Sequence, residues 1–192
     1  MAFAYSDESR RLQDRFDTRR LADRVADLQV HHQFTEREKT FIESRDMFFL
    51  ATVDEHGQPT CSYRGGDPGF VRVLDDTTLA FPNYDGNGMY LSTGNVAATG
   101  RVGILFVDFE RPKRIRVHGT AVVHDEPAWL ERFRGAELVV EVGIGRAFSN
   151  CPRYLHNLAG GELSPHAPRD GHEVPEPEWK SLPEWAEVLP ER

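Results

Sequence analysis

The chain has 192 residues, 39% of them apolar, and a formal net charge of −8. That is enough for one sizeable hydrophobic core. No apolar run approaches the roughly 20 residues a membrane-spanning helix needs, and the acidic balance excludes a general attraction to nucleic acid or anionic lipid. Met1 to Tyr5 leads straight into Ser6, Asp7, Glu8 and Ser9 with no cationic segment before an apolar stretch of secretory type, so the expected location is the cytoplasm. Cys61 and Cys151 form no CxxC pair, and both are expected to be reduced thiols. The histidines show neither HxxxH nor HExxH spacing, so no metal site is expected.

Residues 1–46 read as a helical extension. Leu21, Val25 and Leu28 fall at i, i+4 and i+7, and Thr35 with Glu38 makes a capping-box pattern ahead of Phe41 and Ile42. These helices are expected to cover a barrel. From Met47 the period changes to that of strands. MFFLATV and PTCSYRG flank the polar turn Asp54–Gly57 as a hairpin, and FVRVL and TLAFP flank Asp75 and Asp76 as another. NYDGNG then breaks the pattern. Met89, Tyr90, Thr93, Val96 and Ala97 lie at helical spacing and predict a short helix running to about Thr99. RVGILFVDF reads as a buried strand and KRIRVHGTAVVHD as an alternating one. A helix from about Pro127 to Arg134, a last strand ELVVEVGIGRAF and a short helix CPRYLHNLA follow. The expected core domain therefore spans 47–159. Residues 160–192 are rich in Pro and Glu, with Trp179, Leu182, Trp185, Val188 and Leu189 as the available anchors, and are expected to be a tail dispensable for folding.

FFLATVDEHGQP, YRGGDPGFVRV, LAFPNYDGNGMYLS, VGILFVDFERP and KRIRVHGTA occur in an order that resembles the pyridoxamine 5′-phosphate oxidase-like superfamily of FMN-binding split barrels. NCPRY adds a likeness to the flavin-nucleotide-binding branch of that superfamily rather than to the true oxidases. The resemblance implies a mainly β protein with flanking helices, a split β-barrel, forming a homodimer with FMN as cofactor. It also implies redox exchange with a small-molecule electron donor and acceptor. Departures from the true oxidases accompany it. Ser62 stands three residues after Pro59 where they carry an arginine, so that Arg64 is the substitute cation, and Gly86, Asn87 and Gly88 stand in place of a Ser-Arg-Lys triplet. HDEPAWLERFRGAELVVEV replaces the segment that receives pyridoxal phosphate, which argues against that substrate.

By the resemblance, Ser62, Tyr63, Arg64 and Gly65 on the second strand and its turn, with Asn83, Tyr84, Asn87 and Gly88 before the short helix, are the expected cofactor-binding set. Phosphate can be held by backbone N–H groups at a helix amino end, and the glycines let that backbone approach closely. A Cβ at Gly88 is expected to crowd this approach. Tyr84 and Met89 sit at a strand end and a helix start, where packing competes with ring contact. Arg114 stands where the family has a glutamine that reaches the flavin, in the same chain or across the dimer. Cys151, Pro152, Arg153, Tyr154 and His156 either close the site or dock as a helix. No catalytic acid or base is identified. The alternatives to an FMN-dependent oxidoreductase are a non-catalytic flavin- or haem-binding or sensing protein and a deazaflavin-dependent reductase. The acidic balance disfavours the last, whose cofactor carries an oligoglutamate tail.

Overall fold

The computed structural model describes residues 4–158, 165, 173, 175–176 and 178–189. These fall into two compact units, one spanning His31–Asn150 and one made of the described residues before His31 and after Asn150. Much of the Gly160–Arg192 tail lies outside the described residues.

The larger unit is a seven-stranded antiparallel sheet flanked by helices. Its elements are α3 (Glu36–Glu43), β1 (Met47–Val53), β2 (Pro59–Gly65), β3 (Arg72–Val73), β4 (Thr78–Tyr84), α4 (Leu91–Thr99), β5 (Arg101–Asp108), β6 (Lys113–His124), α5 (Pro127–Leu130) and β7 (Ala136–Ser149). The strand order is β2-β1-β5-β6-β7-β4-β3. Period-two alternation sends Phe48 and Leu50 inward from β1, opposite Phe106 and Ile104 of β5. Phe48 is the hub of the core: its ring stacks on Phe70 at 5.7 Å and meets Phe81 edge-on at 4.9 Å and Phe106 at 5.3 Å. Between His118 and Gly119 the β6–β7 register shifts, passing over Gly145, so β7 turns Ala147 inward on one side of the shift and Val142 and Val140 on the other. Gly119 is required there, because a Cβ would stand 2.3 Å from the Gly143 carbonyl oxygen.

The capping box forms as the sequence predicts. Glu38 N–H donates to Thr35 Oγ1 at 3.3 Å and Thr35 N–H to Glu38 Oε2 at 3.0 Å, which fixes α3 so that Phe41 and Ile42 enter the core. Helix α4 is tied to β1 by Asn95 Nδ2 donating to Thr52 Oγ1 at 3.1 Å and Thr99 Oγ1 to the Val53 carbonyl at 2.9 Å. A second apolar cluster of Ala80, Phe133 and Val139 receives Trp129 and Leu130, and Trp129 stacks on His124 at 4.3 Å.

Some elements differ from expectation. Of FVRVL only Arg72–Val73 pairs with β4, and the helix expected to reach Arg134 ends at Leu130. No helix forms over the described part of CPRYLHNLA, because Leu155 N–H donates to the Pro152 carbonyl in a turn instead. In the smaller unit, α1 (Asp7–Arg15) and α2 (Arg19–Gln29) bury no residue fully, although Tyr5 Oη donates to the Ala22 carbonyl at 2.8 Å and Arg10 pairs with Asp23 at 2.7 Å. A 3-10 turn (Glu178–Ser181) and α6 (Pro183–Ala186) bring Trp179 edge-on to Trp185 at 5.7 Å. Trp185 and Val188 are buried, and Arg24 Nη1 donates to the Glu184 carbonyl at 2.5 Å. This part of the tail is therefore packed rather than loose.

Candidate functional site

β2 is an edge strand, paired only with β1. Its alternation places Ser62 and Arg64 on the same face as Leu50 and Phe48, their register partners, and leaves Cys61 and Tyr63 exposed on the other. Because no further strand lies beyond β2, Ser62 and Arg64 line space rather than packed core. The far wall comes from the end of β4 and the loop into α4. Together these walls enclose a cavity of about 400 Å³ lined by Thr60, Cys61, Ser62, Arg64, Asn83, Tyr84, Gly86, Asn87, Gly88, Met89, Tyr90, Leu91, Ser92 and Thr93.

The electrostatics of this cavity are unusual in one respect. Arg64 is half-buried, and its Nη1 donates to Asn83 Oδ1 at 2.8 Å, a neutral amide in a buried residue. Its Nε is buried without a hydrogen-bond partner, and among the described residues no carboxylate pairs with it. Burial lowers the pKa of its guanidinium, yet the group stays protonated under any physiological condition. A desolvated cation without a counterion is costly unless an anion completes it.

Helix α4 opens towards the same space. Its N-cap is Tyr90, in the left-handed region at φ 46° and ψ 25°, with no side-chain hydrogen bond to cap the first turn. The N–H groups of that turn, with the positive end of the helix dipole, form an anion-accepting surface. Ser92 Oγ lies 3.2 Å from Ser62 Oγ, joining the helix to β2, and Thr93 Oγ1 donates to the Tyr90 carbonyl at 3.1 Å. In the loop, Met89 N–H donates to Asn87 Oδ1 at 3.0 Å. Gly88 adopts φ 72°, a conformation few other residues accept. No protein atom lies within 4 Å of where a Gly88 Cβ would be, so within the protein itself the backbone angle is what calls for glycine.

The cavity thus gathers Ser62, Arg64, Asn83, Tyr84, Asn87 and Gly88 from the expected set, and leaves out Tyr63, Gly65 and Arg114. Tyr63 is 64% exposed on the opposite face of β2, edge-on to Phe49. Gly65 is the last residue of β2, and a Cβ there would come 2.9 Å from the Tyr63 ring. Arg114 sits on β6 opposite Val107, with β5 and β1 between it and β2. Tyr84 and Met89 are not core residues, being 38% and 69% exposed at the cavity rim. Ser92 and Thr93 escaped the sequence reading because the helix begins at Leu91, two residues later than Met89, which makes them first-turn rather than mid-helix residues. Cys151 to Tyr154 belongs to the other unit.

Residues 34–150 match the family described as Pyridoxamine 5′-phosphate oxidase. Among solved structures, a candidate pyridoxamine 5′-phosphate oxidase from Lactobacillus delbrueckii is 23% identical with a TM-score of 0.51, covering 63% of this chain and 99% of its own, and shares the fold. HupZ from Group A Streptococcus is 24% identical with a TM-score of 0.48, over 60% of this chain and 94% of that one. An FMN-binding protein from Syntrophomonas wolfei subsp. wolfei is 14% identical with a TM-score of 0.46, over 76% and 96%. No curated protein matches the chain.

Proposed function

Because the chain belongs to the pyridoxamine 5′-phosphate oxidase family, we propose that it binds FMN in the cavity between β2, β4 and α4 and acts in the cytoplasm as an FMN-dependent oxidoreductase on small molecules. The observation that carries this reading is Arg64, a half-buried guanidinium held by the Asn83 amide and lacking a carboxylate partner among the described residues. Arg64 and the first-turn N–H groups of α4 would hold the phosphate, with Ser62 and Ser92 as hydroxyl partners and Tyr84 and Met89 flanking the ring. A bound flavin supplies the hydride and electron chemistry itself. That suits a wall whose lining residues include no carboxylate and no imidazole.

The same lining supports a second reading, a protein that carries or senses a flavin without turnover. Against a true pyridoxamine phosphate oxidase stands the 124–142 segment. Here Trp129, Leu130 and Phe133 pack into or against an apolar cluster with Ala80 and Val139. We further propose a homodimer, with Arg114 serving the cavity of a neighbouring copy, since it is two strands removed from the cavity of its own chain.

The deciding measurement is fluorescence titration of the apoprotein with FMN, preceded by the visible spectrum and mass of whatever co-purifies. Arg64→Ala is expected to weaken FMN binding about tenfold to a hundredfold, the value of one charge-assisted contact. Unchanged affinity in that variant sinks the placement. Stopped-flow reduction by nicotinamide cofactors separates enzyme from carrier. A monomer in light scattering that holds FMN stoichiometrically refutes the dimer.

A further inference from the structure

A left-handed backbone is uncommon for an aromatic residue and persists only where its surroundings hold it. Tyr90 is one of two non-glycine residues with positive φ in the described chain, and it sits at the amino end of the helix that faces the cavity. Its hydroxyl donates to Glu137 Oε2 at 2.9 Å, across to β7. Glu137 is itself irregular. The β4–β7 register pairs Asn83 with Leu138 and Tyr84 with Ala136, so Glu137 is the extra residue of a β-bulge. Bulges re-aim a side chain that regular pairing would direct elsewhere. The bulge lies beside Asn83, whose amide holds Arg64, so one irregularity in the sheet touches both anion-accepting groups of the cavity. Tyr90 also anchors the first turn through its carbonyl, which accepts from Thr93 Oγ1 and, at 2.6 Å, from Gly94 N–H. A tyrosine cannot cap this turn with its own side chain as Ser, Asp or Asn would.

We propose that Tyr90 and Glu137 are positioning residues, a tether that holds the helix start in its left-handed, uncapped form so that the N–H groups of Leu91 to Thr93 stay available to the anionic group of the ligand. This rests on the function proposed above. Glu137 is not among the residues lining the cavity and acts through Tyr90. The arrangement trades a capped, self-satisfied helix end for an open one.

Two measurements on the full-length protein test it. In the apoprotein, the three-bond HN–Hα coupling of residue 90, which reports its φ, should leave its wild-type value in Tyr90→Phe and Glu137→Ala, and keep it in Glu137→Gln, which keeps an acceptor oxygen. FMN affinity should fall about threefold to tenfold in the first two variants, the size expected for one lost hydrogen bond at an exposed site, and hold in the third. A wild-type coupling in Tyr90→Phe, or a changed coupling with unchanged FMN affinity, overturns the proposal. If the wild type takes up no FMN, the functional reading fails instead. Amide shifts of Leu91 to Thr93 on titration with inorganic phosphate then decide the tether: shifts lost in Tyr90→Phe support it, and shifts retained or absent throughout refute it.

Discussion

Two half-buried arginines show opposite uses of the same side chain. At the corner where α3 meets the β5–β6 turn, Arg45 Nη1 lies 2.7 Å from Asp108 Oδ2, and its guanidinium rests over the Phe41 ring at 4.8 Å. At the cavity, Arg64 has the Asn83 amide and no carboxylate among the described residues. Each has a buried Nε without a partner, so the counterion is what differs. Asp108 is held further by the N–H groups of Glu110 and Arg111, both at 2.9 Å. Burial pushes its pKa up, but those N–H groups and Arg45 outweigh burial and leave it below the usual carboxylate value. At Arg45 the fold brings an anion to the cation. Arg64 faces the cavity with no carboxylate partner among the described residues.

Removing each arginine breaks the comparison most directly. Arg45→Ala should destabilise the protein by about 2–4 kcal/mol, since it strands a largely buried carboxylate, while flavin affinity of the folded protein holds. Urea unfolding gives the first quantity, and a stable Arg45→Ala would erase the contrast. Arg64→Ala should change apoprotein stability by no more than about 0.5 kcal/mol, because it removes a desolvated charge that no counterion compensates. A large loss there would make Arg64 a structural residue.

Acid titration sharpens the difference. A carboxylate whose folded pKa lies below its unfolded value binds fewer protons when folded, so its contribution is complete above about pH 4 and is lost as pH falls through the folded value. Wild type should therefore lose stability on acidification below about pH 4, and Asp108→Asn should show a flatter acid limb in melts across that range.

The smallest effect belongs to His118. Burial, then Arg146 and Arg116, lower its pKa. Its ring Nδ1 accepts from Arg146 Nε at 3.0 Å. The unfolded chain then binds the extra proton below about pH 6.5, so stability falls as pH drops through that value, and His118→Gln should remove this slope.

Much of the framework was legible because local chemistry dictates it. The Thr35–Glu38 box, the strand alternation that buries Phe48 and Leu50, and the Gly-rich break before α4 all follow from residue type and spacing. The site was legible only in part. Ser62, Arg64 and Asn83 were implied by the family resemblance and lie on strands the alternation predicts, whereas Ser92 and Thr93 depended on a helix start set by a strained tyrosine. Glu137 depended on a bulge that arises only once β4 and β7 pair. The resemblance implies a site role for Arg114, and its distance from the cavity depends on strand order, which is non-local.

β2 is the first strand of the sheet and β4 the last but one, and the two share no backbone ladder. Ser62 and Arg64 come from one and Asn83 from the other, so the cavity sits in an unzipped seam bridged by little more than the Arg64–Asn83 bond. A molecule touching both walls acts as a rivet across that seam. It adds RT ln(1 + [L]/Kd) to the unfolding free energy, about 2.7 kcal/mol at a hundredfold excess over Kd. The loaded protein should also resist opening at the β2 edge first, before the Phe48 core registers any change.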